Sequence, residues 1–421
     1  MAEDVSAAAA TEEPAATEEP AATEEPAEEF EYHFNGNVQF DGEPVEGVKI
    51  SVEGNGFEAD TETDVDGRWQ VGVPEKGTYT VILDEDTLPE GVIVAEEGGA
   101  EREGSFGQTR NASVNFFLGE GERVTVSFWN QFLERAVNGL NFGLLLALAA
   151  IGLSLIFGTT GLSNFAHAEL ITFGALMTFT FGTTLGVPMW LAIIIAVALS
   201  ALLGLVLDAG LWKPLRKKGI GLIPLMIVSI GLSLALRYLF QFFYGGQTFQ
   251  LKGATGVARF SLGPVSLSWI DVASMGTSII VLLAVAFFLQ RTRIGKATRA
   301  VSDNPSLASA SGIDVNYVIR IVWVLGSALA GLSGILWAYF RPGVSWDMGF
   351  QILLLIFAAV VLGGLGTAFG ALIGAIIVGL FVELSTLWLP SDMKYVGALV
   401  IMIVVLLFRP QGILGRRERI G

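Results

Sequence analysis

Long apolar runs separated by short polar breaks occupy the chain from residue 138 to residue 409, and nine of these runs approach the roughly 20 apolar residues that one crossing of a bilayer needs. They are residues 138–157, 162–182, 187–207, 221–243, 268–289, 318–340, 351–367, 368–387 and 395–409. The pattern predicts a polytopic α-helical membrane domain of eight to nine transmembrane segments. Two stretches are the weakest as complete crossings: 162–182, which reads also as a segment that dips and returns, and 351–387, which reads also as one broken hairpin. Ahead of this domain the period changes from helical to twofold. In residues 32–120 apolar and polar positions alternate in VKISVEG, RWQVGVP and GTYTVILDED, with turn clusters DGEP, DVDG and PEKG between them. Short strands at such spacing predict a small all-β sandwich. Residues 9–26 are AATEEP three times over, and proline every six residues together with like charge predicts a disordered acidic tail over 1–31. A linker over 121–137 and a basic tail over 410–421 complete the expected organisation.

Charge sharpens this division. Residues 1–125 hold 31 acidic and 6 basic side chains, whereas residues 126–421 hold 10 and 19. The basic residues of the membrane domain cluster: Lys213, Arg216, Lys217 and Lys218 follow the third run, Arg291, Arg293, Lys296 and Arg299 the fifth, and Arg409, Arg416, Arg417 and Arg419 the last. The remaining loops carry only Lys252, Arg259, Arg341 and Lys394. The positive-inside rule therefore predicts a multi-pass plasma-membrane protein with a cytoplasmic C-terminus and, after nine crossings, an external sandwich. The opening MAEDVSAAAA has neither a basic n-region nor an apolar h-region, so an external sandwich implies either a removed export signal or translocation by the first membrane helix.

The candidate chemistry is sparse. There is no cysteine, the two histidines are His33 and His167, and no cofactor or metal site is expected. Asp64, Asp66 and Gly67 read as a hairpin turn, since the later ligands of a calcium loop are missing. No G-x-x-x-x-G-K-[ST] occurs, so ATP hydrolysis, if used, belongs to a partner chain, and an enzyme is not expected. In LSNFAHAEL, Asn164, His167 and Glu169 are polar groups within an apolar run, where such groups line a solute path or gate, or else bond neighbouring helices and cap the helix after Asn164. Gly366, Gly370 and Gly374 at i, i+4 and i+8 read as a packing stripe. Gly363, Gly364 and Gly366 read alternatively as a helix break whose backbone groups lie beside a solute path. Arg237 and Glu383 are expected to snorkel to the membrane surface.

The most informative segment is 291–315, RTRIGKATRAVSDNPSLASASGIDV, polar and basic between two membrane runs. Its Ala300, Ala308 and Gly312 are spaced to put small residues on one face of a short helix, and that face beside positive charge suits a protein partner. A helix lying in lipid headgroups is the other reading, for which an Ala, Ser and Gly face is too poor. This segment resembles the cytoplasmic coupling loop of ABC importer permeases of the branched-chain amino-acid family. GLNFGLLLALAAIGLSLIFGTTGLSNFAHAEL (139–170) resembles that family's first helix and its signature, with Ala168 in the usual glycine position. VLGGLGTAFGALIGAIIVG (361–379) resembles its late glycine-rich helix. The likeness covers roughly residues 138–421, while the sandwich resembles carboxypeptidase-regulatory-like, transthyretin-like modules of bacterial surfaces.

The resemblance implies a permease subunit that moves branched-chain amino acids by alternating access. Its implied partners are a second homologous permease, two ATP-binding subunits and an external substrate-binding protein, with membrane lipid around it and no nucleic acid. It implies that Gly295, Lys296, Arg299, Ala300, Asn304, Ala308, Gly312 and Ile313 belong to a loop seated in a groove of the ATP-binding subunit. A same-family permease for urea or short amides, and an ATP-independent channel or secondary transporter, are the rival readings.

Overall fold

The computed structural model describes residues 30–89, 91–94, 99–106, 110–120, 127–389, 393–408 and 412–415. The acidic repeats and Arg409, Arg416, Arg417 and Arg419 lie outside the described residues. The chain folds as two units, Met1–Thr125 and Val126–Gly421.

The first unit holds ten described strands: β1 (Tyr32–Phe40), β2 (Glu43–Pro44), β3 (Lys49–Gly54), β4 (Phe57–Glu62), β5 (Arg68–Val73), β6 (Thr78–Leu83), β7 (Val92–Val94), β8 (Glu101–Ser105), β9 (Asn111–Ser113) and β10 (Phe116–Glu120). One sheet is built on β1, which pairs antiparallel with β2 and β5 and parallel with β9 and β10, and β7 adds to β10. The other runs β4-β3-β6-β8, antiparallel throughout. The twofold alternation sets the layers: Val71 and Val73 of β5, Val52 of β3 and Val81 of β6 point into one core with Phe34, whose ring meets that of Tyr79 edge-on at 5.6 Å. Asp64–Gly67 does not close a hairpin, because β4 and β5 belong to different sheets. It is the crossover between them, held by Asp64 Oδ1 accepting from the N–H groups of Asp66 and Arg68 at 2.9 and 2.8 Å.

The second unit is helical: α1 (Phe128–Thr160), α2 (His167–Thr178) extended by a π-helical turn Phe179–Thr184, α3 (Met189–Leu207) running through a second π-helical turn into α4 (Lys213–Lys217), and α5 (Leu222–Tyr244). A hairpin of β11 (Arg259–Leu262) and β12 (Val265–Ser268) leads to α6 (Trp269–Arg291), followed by α7 (Arg293–Asp303), α8 (Pro305–Ala310), α9 (Val315–Phe340), α10 (Met348–Gly363), α11 (Ala368–Leu384) and α12 (Lys394–Phe408). Six described helices are long and apolar enough to cross a membrane, and Met348–Gly363 is a shorter apolar helix. α1 starts at Phe128, so the second half of the expected linker over 121–137 is helical. Its first turns carry Asn130, Gln131, Glu134 and Arg135, which hide a helix from an apolar window. Phe128, Trp129 and Phe132 cluster there as an aromatic girdle.

Cross-contacts show two ends. At the basic end, Gly158 of α1 lies against Gly366 and Ser302, and Gly161 against Leu222. At the opposite end, Phe249 and Val344 exchange backbone hydrogen bonds, Arg341 donates to the Tyr395 hydroxyl at 2.8 Å, and Phe128 approaches Trp388. The passes run alternately between these ends. α1 and α9 form the centre: 89% and 78% of their most apolar stretches are buried, against 22% in α5.

Glycine makes the central contacts possible. Gly139 and Gly143 of α1 face α11 so closely that a Cβ on either would lie 2.9 Å from the Cα of Leu380 or Ile376. Gly374 of α11 faces α10 at Ala359, and Gly379 faces α1. The expected stripe loses its first member, since Gly366 lies two residues before α11 in a turn with φ of 75°. Gly143→Leu is expected to destabilise the bundle by about 1–3 kcal/mol through overpacking. Gly231→Leu, where nothing lies within 4 Å of an added Cβ, is expected to change stability by less than about 0.5 kcal/mol. Unfolding of both variants in detergent checks the contrast, and equal losses would show that the close approach is not what holds α1 to α11.

Candidate functional site

After α1 stops at Gly161 the chain turns back along it without helix, and α2 begins only at His167. His167 Nε2 lies 3.0 Å from the carbonyl oxygen of Ala149. A carbonyl only accepts, so Nε2 carries the proton. Ala149 stands eleven residues before the end of α1, so α2 starts about 16 Å inside the bundle. The non-helical stretch finds partners instead of water: Ser229 Oγ on α5 accepts from the Phe165 N–H at 3.1 Å, and Asn164 Oδ1 accepts from the Ala166 N–H at 3.2 Å.

The three polar residues of this segment do not form one constellation. Asn164 folds the turn that starts α2, and His167 faces α1. Glu169, two residues further on and so on the other side of the helix, faces α5. Fully buried, Glu169 Oε1 accepts from Ser233 Oγ at 2.9 Å and from Arg237 Nε and Nη2 at 3.2 and 3.1 Å. The Arg237 guanidinium lies 3.7 Å from the centre of the Phe350 ring, which joins α2, α5 and α10 through one charge pair. Arg237 therefore does not snorkel: its side chain is 11% exposed because its charge is satisfied inside. Nor does Glu383, which is 5% exposed and lines a cavity at the opposite end.

Gly363–Gly366 does break the helix, with Gly364 at φ 111° and Gly366 at φ 75°. The break sits at the basic end against Gly158 rather than deep among the helices. Two carbonyls at the end of α10 are occupied: Leu362 and Gly363 accept from the N–H groups of Ile413 and Leu414 at 2.8 and 3.0 Å. The helix break is as expected, and two carbonyls beside it are already bonded.

The segment 291–315 is two helices with a corner at Asn304, whose φ of −160° and ψ of 100° are the extended conformation that the following Pro305 favours. Each helix carries its own cap: Thr292 Oγ1 accepts from the Gly295 N–H, and Asn304 Oδ1 from the Leu307 N–H, both at 3.0 Å. Gly295 is buried where α7 meets the end of α6, and a Cβ there would lie 2.6 Å from the Leu289 Cα. The small residues turn inward. Ala308 packs with Val301 and Val318, and Ala300 and Ile313 lie against them. Gly312 is in no helix, lying in a turn at φ 86°. What faces outward is Lys296, Arg299, Asn304 and Leu307, the last 65% exposed. The small-residue face thus seats the segment on α9, and Lys296, Arg299 and Leu307 are left exposed.

The family model described as branched-chain amino acid transport system / permease component matches residues 135–406, from the first helical pass to the last. The chain belongs to this family. The permease is 31% identical over 301 residues to the high-affinity branched-chain amino acid transport system permease protein LivH of Escherichia coli (strain K12), covering 68% of this chain and 96% of that one. It is 31% identical over 303 residues to the corresponding protein BraD of Pseudomonas aeruginosa, covering 68% and 97%. The ribose import permease protein RbsC of Escherichia coli is 30% identical over 247 residues, covering 55% of this chain and 72% of that protein. Among solved structures, PsaBC from Streptococcus pneumoniae in complex with Fab matches at a TM-score of 0.39 and 15% identity, covering 66% of this chain and 92% of that one. The permease is a polytopic helical membrane protein, preceded by β-sheets that the family model does not reach.

The surroundings of two residues of the permease, Arg237 and Leu307, differ from what their sequence neighbours suggest. Arg237 pairs with a residue 68 positions away, and the available signal was one lone charge in each of two apolar runs, Glu169 and Arg237, which in a membrane are expected to find each other. Leu307 gives little sign of itself among Ser and Ala neighbours; the Asn304-Pro305 pair, which breaks the helix and resets its facing, is the signal.

Proposed function

We propose that the permease is the membrane subunit of an ATP-binding-cassette importer for branched-chain amino acids, working by alternating access beside a second homologous permease. Two ATP-binding subunits dock at the basic end, and an external substrate-binding protein delivers solute at the opposite end. The observation that carries this reading is the build of α7 and α8. They are capped, locked to α6 at Gly295 and seated on α9, and they present Lys296, Arg299 and Leu307 outward. Ser302 reaches Gly158, which touches Gly366, so a displacement of α7 bears on the α1 terminus and the α10–α11 turn together. ATP shifts such an equilibrium only if the nucleotide-bound partner favours one arrangement of these elements over the other.

The basic end is cytoplasmic in this reading. In the same reading Phe128 enters the membrane from outside and the β unit lies outside. Asn164, His167 and Glu169 serve the path by holding the non-helical start of α2 open within the bundle.

Uptake of leucine, valine and urea into vesicles holding the assembled importer tests this function. Accumulation of leucine and valine that requires internal ATP is expected, falling at least tenfold in Arg299→Glu. ATP-independent flux would refute the importer, and ATP-driven uptake of urea alone would refute the solute.

A further inference from the structure

A cavity of about 250 Å³ opens at the end opposite α7 and α8. Its walls come from six separate elements: Asn138 on α1, Arg259 on β11, Asp271 in the first turn of α6, Trp337 and Arg341 at the end of α9, Glu383 at the end of α11 and Tyr395 at the start of α12. We propose that this cavity binds the ammonium and carboxylate of one free α-amino acid, giving the permease a solute site of its own. The proposal deepens the importer reading and rests on it for the identity of the solute.

The charges select the ligand class. An anion alone would meet Asp271 and Glu383, and a cation alone would meet Arg259 and Arg341; a small zwitterion presents each sign to its complement. Arg341 suits a carboxylate. Its Nη1 donates to the Tyr395 hydroxyl at 2.8 Å, which orients the planar guanidinium and commits one of its five donors. Asp271 is fixed in the same way, with Oδ2 accepting from the Ser268 N–H and Oγ at 2.9 and 2.7 Å in a capping box. Glu383 is buried and Arg341 exposed, so the cavity is acidic at depth and basic towards its mouth, and the ammonium enters first. Trp337, stacked on Phe340 and packed on Phe142, supplies a rigid apolar wall for an aliphatic side chain. The volume is below the ~300 Å³ at which sites for drug-sized ligands begin, in keeping with a solute of amino-acid size. Urea, which carries neither charge, lacks what this lining recognises.

The test is equilibrium binding of radiolabelled L-leucine to the full chain in nanodiscs of phosphatidylcholine and phosphatidylglycerol, without the other subunits. Saturable binding is expected. L-leucinol, without the carboxylate, and 4-methylpentanoic acid, without the ammonium, are expected to compete at least tenfold more weakly than leucine. Arg341→Gln and Glu383→Gln should each weaken binding at least tenfold, whereas Lys252→Gln, a cation at the same end outside the cavity, should leave it unchanged. Tyr395→Phe, which keeps the ring and removes only the hydroxyl that orients Arg341, should weaken binding about threefold and serves where a charge variant does not fold. Leucine binding indifferent to Arg341→Gln, Glu383→Gln and Tyr395→Phe would overturn the site. So would competitors as strong as leucine, no saturable binding, or loss of leucine binding when phosphatidylethanolamine replaces phosphatidylcholine, which would mark a headgroup site. ATP-driven leucine uptake by the assembled importer without binding to the lone chain would sink the site and keep the importer. Binding without uptake would do the reverse.

Discussion

Arg237→Met is expected to destabilise the permease by about 3–5 kcal/mol, the largest single-residue loss in the helical bundle, because it leaves the Glu169 carboxylate buried without its cation. Glu169 is fully buried and its Oε1 accepts from three donors, two of them from Arg237. Once Arg237 is gone, the 2.9 Å bond from Ser233 Oγ is what remains to offset the desolvation of that charge. Glu169→Gln/Arg237→Met, which removes both charges and keeps similar volumes, should recover most of the loss, since a matched neutral pair often replaces a buried ion pair at little cost. Chemical unfolding of the wild type, the two single variants and the double variant forms a cycle that reads the coupling directly. If the losses of the single variants simply add in the double, the pair does not act as a unit and the account of α2, α5 and α10 given above is wrong.

Leu307→Asp is expected to lower the affinity of the permease for its ATP-binding subunit at least ~30-fold, the equivalent of a hot-spot loss of about 2 kcal/mol. An apolar side chain 65% exposed on α8, next in the chain to a helix that exposes Lys296 and Arg299, has the form of an anchor with a polar rim. Leu307 packs little of itself inside, so the fold and thermal stability of the permease alone should be unchanged. Ala308→Asp should show the opposite pattern, because Ala308 is buried against Val301 and Val318 and a charge there unseats α8 from α9. Titration of the purified ATP-binding subunit against nanodisc-held variants separates the two. Undiminished binding by Leu307→Asp would move the docking surface elsewhere on the basic end.

The polytopic helical domain was legible because a bilayer demands long apolar runs and the sequence has few other reasons to contain them, although only six of the described helices are long and apolar enough to cross. The strands were legible because one face of each meets a core and the other does not, as Val71 and Val73 against Arg68 and Gln70 show. Facing within the membrane was not legible. A run such as Ala368–Leu384 is apolar on every side, so the period that tells inside from outside in water is lost, and only its glycines mark where another backbone must come close. The segment 291–315 failed for a related reason. Alanine and glycine at regular spacing describe a face that permits close approach, and that face went to α9 of the same chain rather than to a partner.

The gap between Glu169 and Arg237 along the chain also sets a clock. α2 is 12 residues, about 18 Å of helix, too short to cross the hydrocarbon core, and it carries a carboxylate whose counter-charge is made 68 residues later. At 5–20 residues per second of synthesis that is a wait of roughly 3–14 s. During it the α1–α2 turn cannot be sealed into lipid in its final form. The order of synthesis thus makes α2 wait on α5 for its counter-charge, and the Glu169–Arg237 pair closes only once residue 237 has been made.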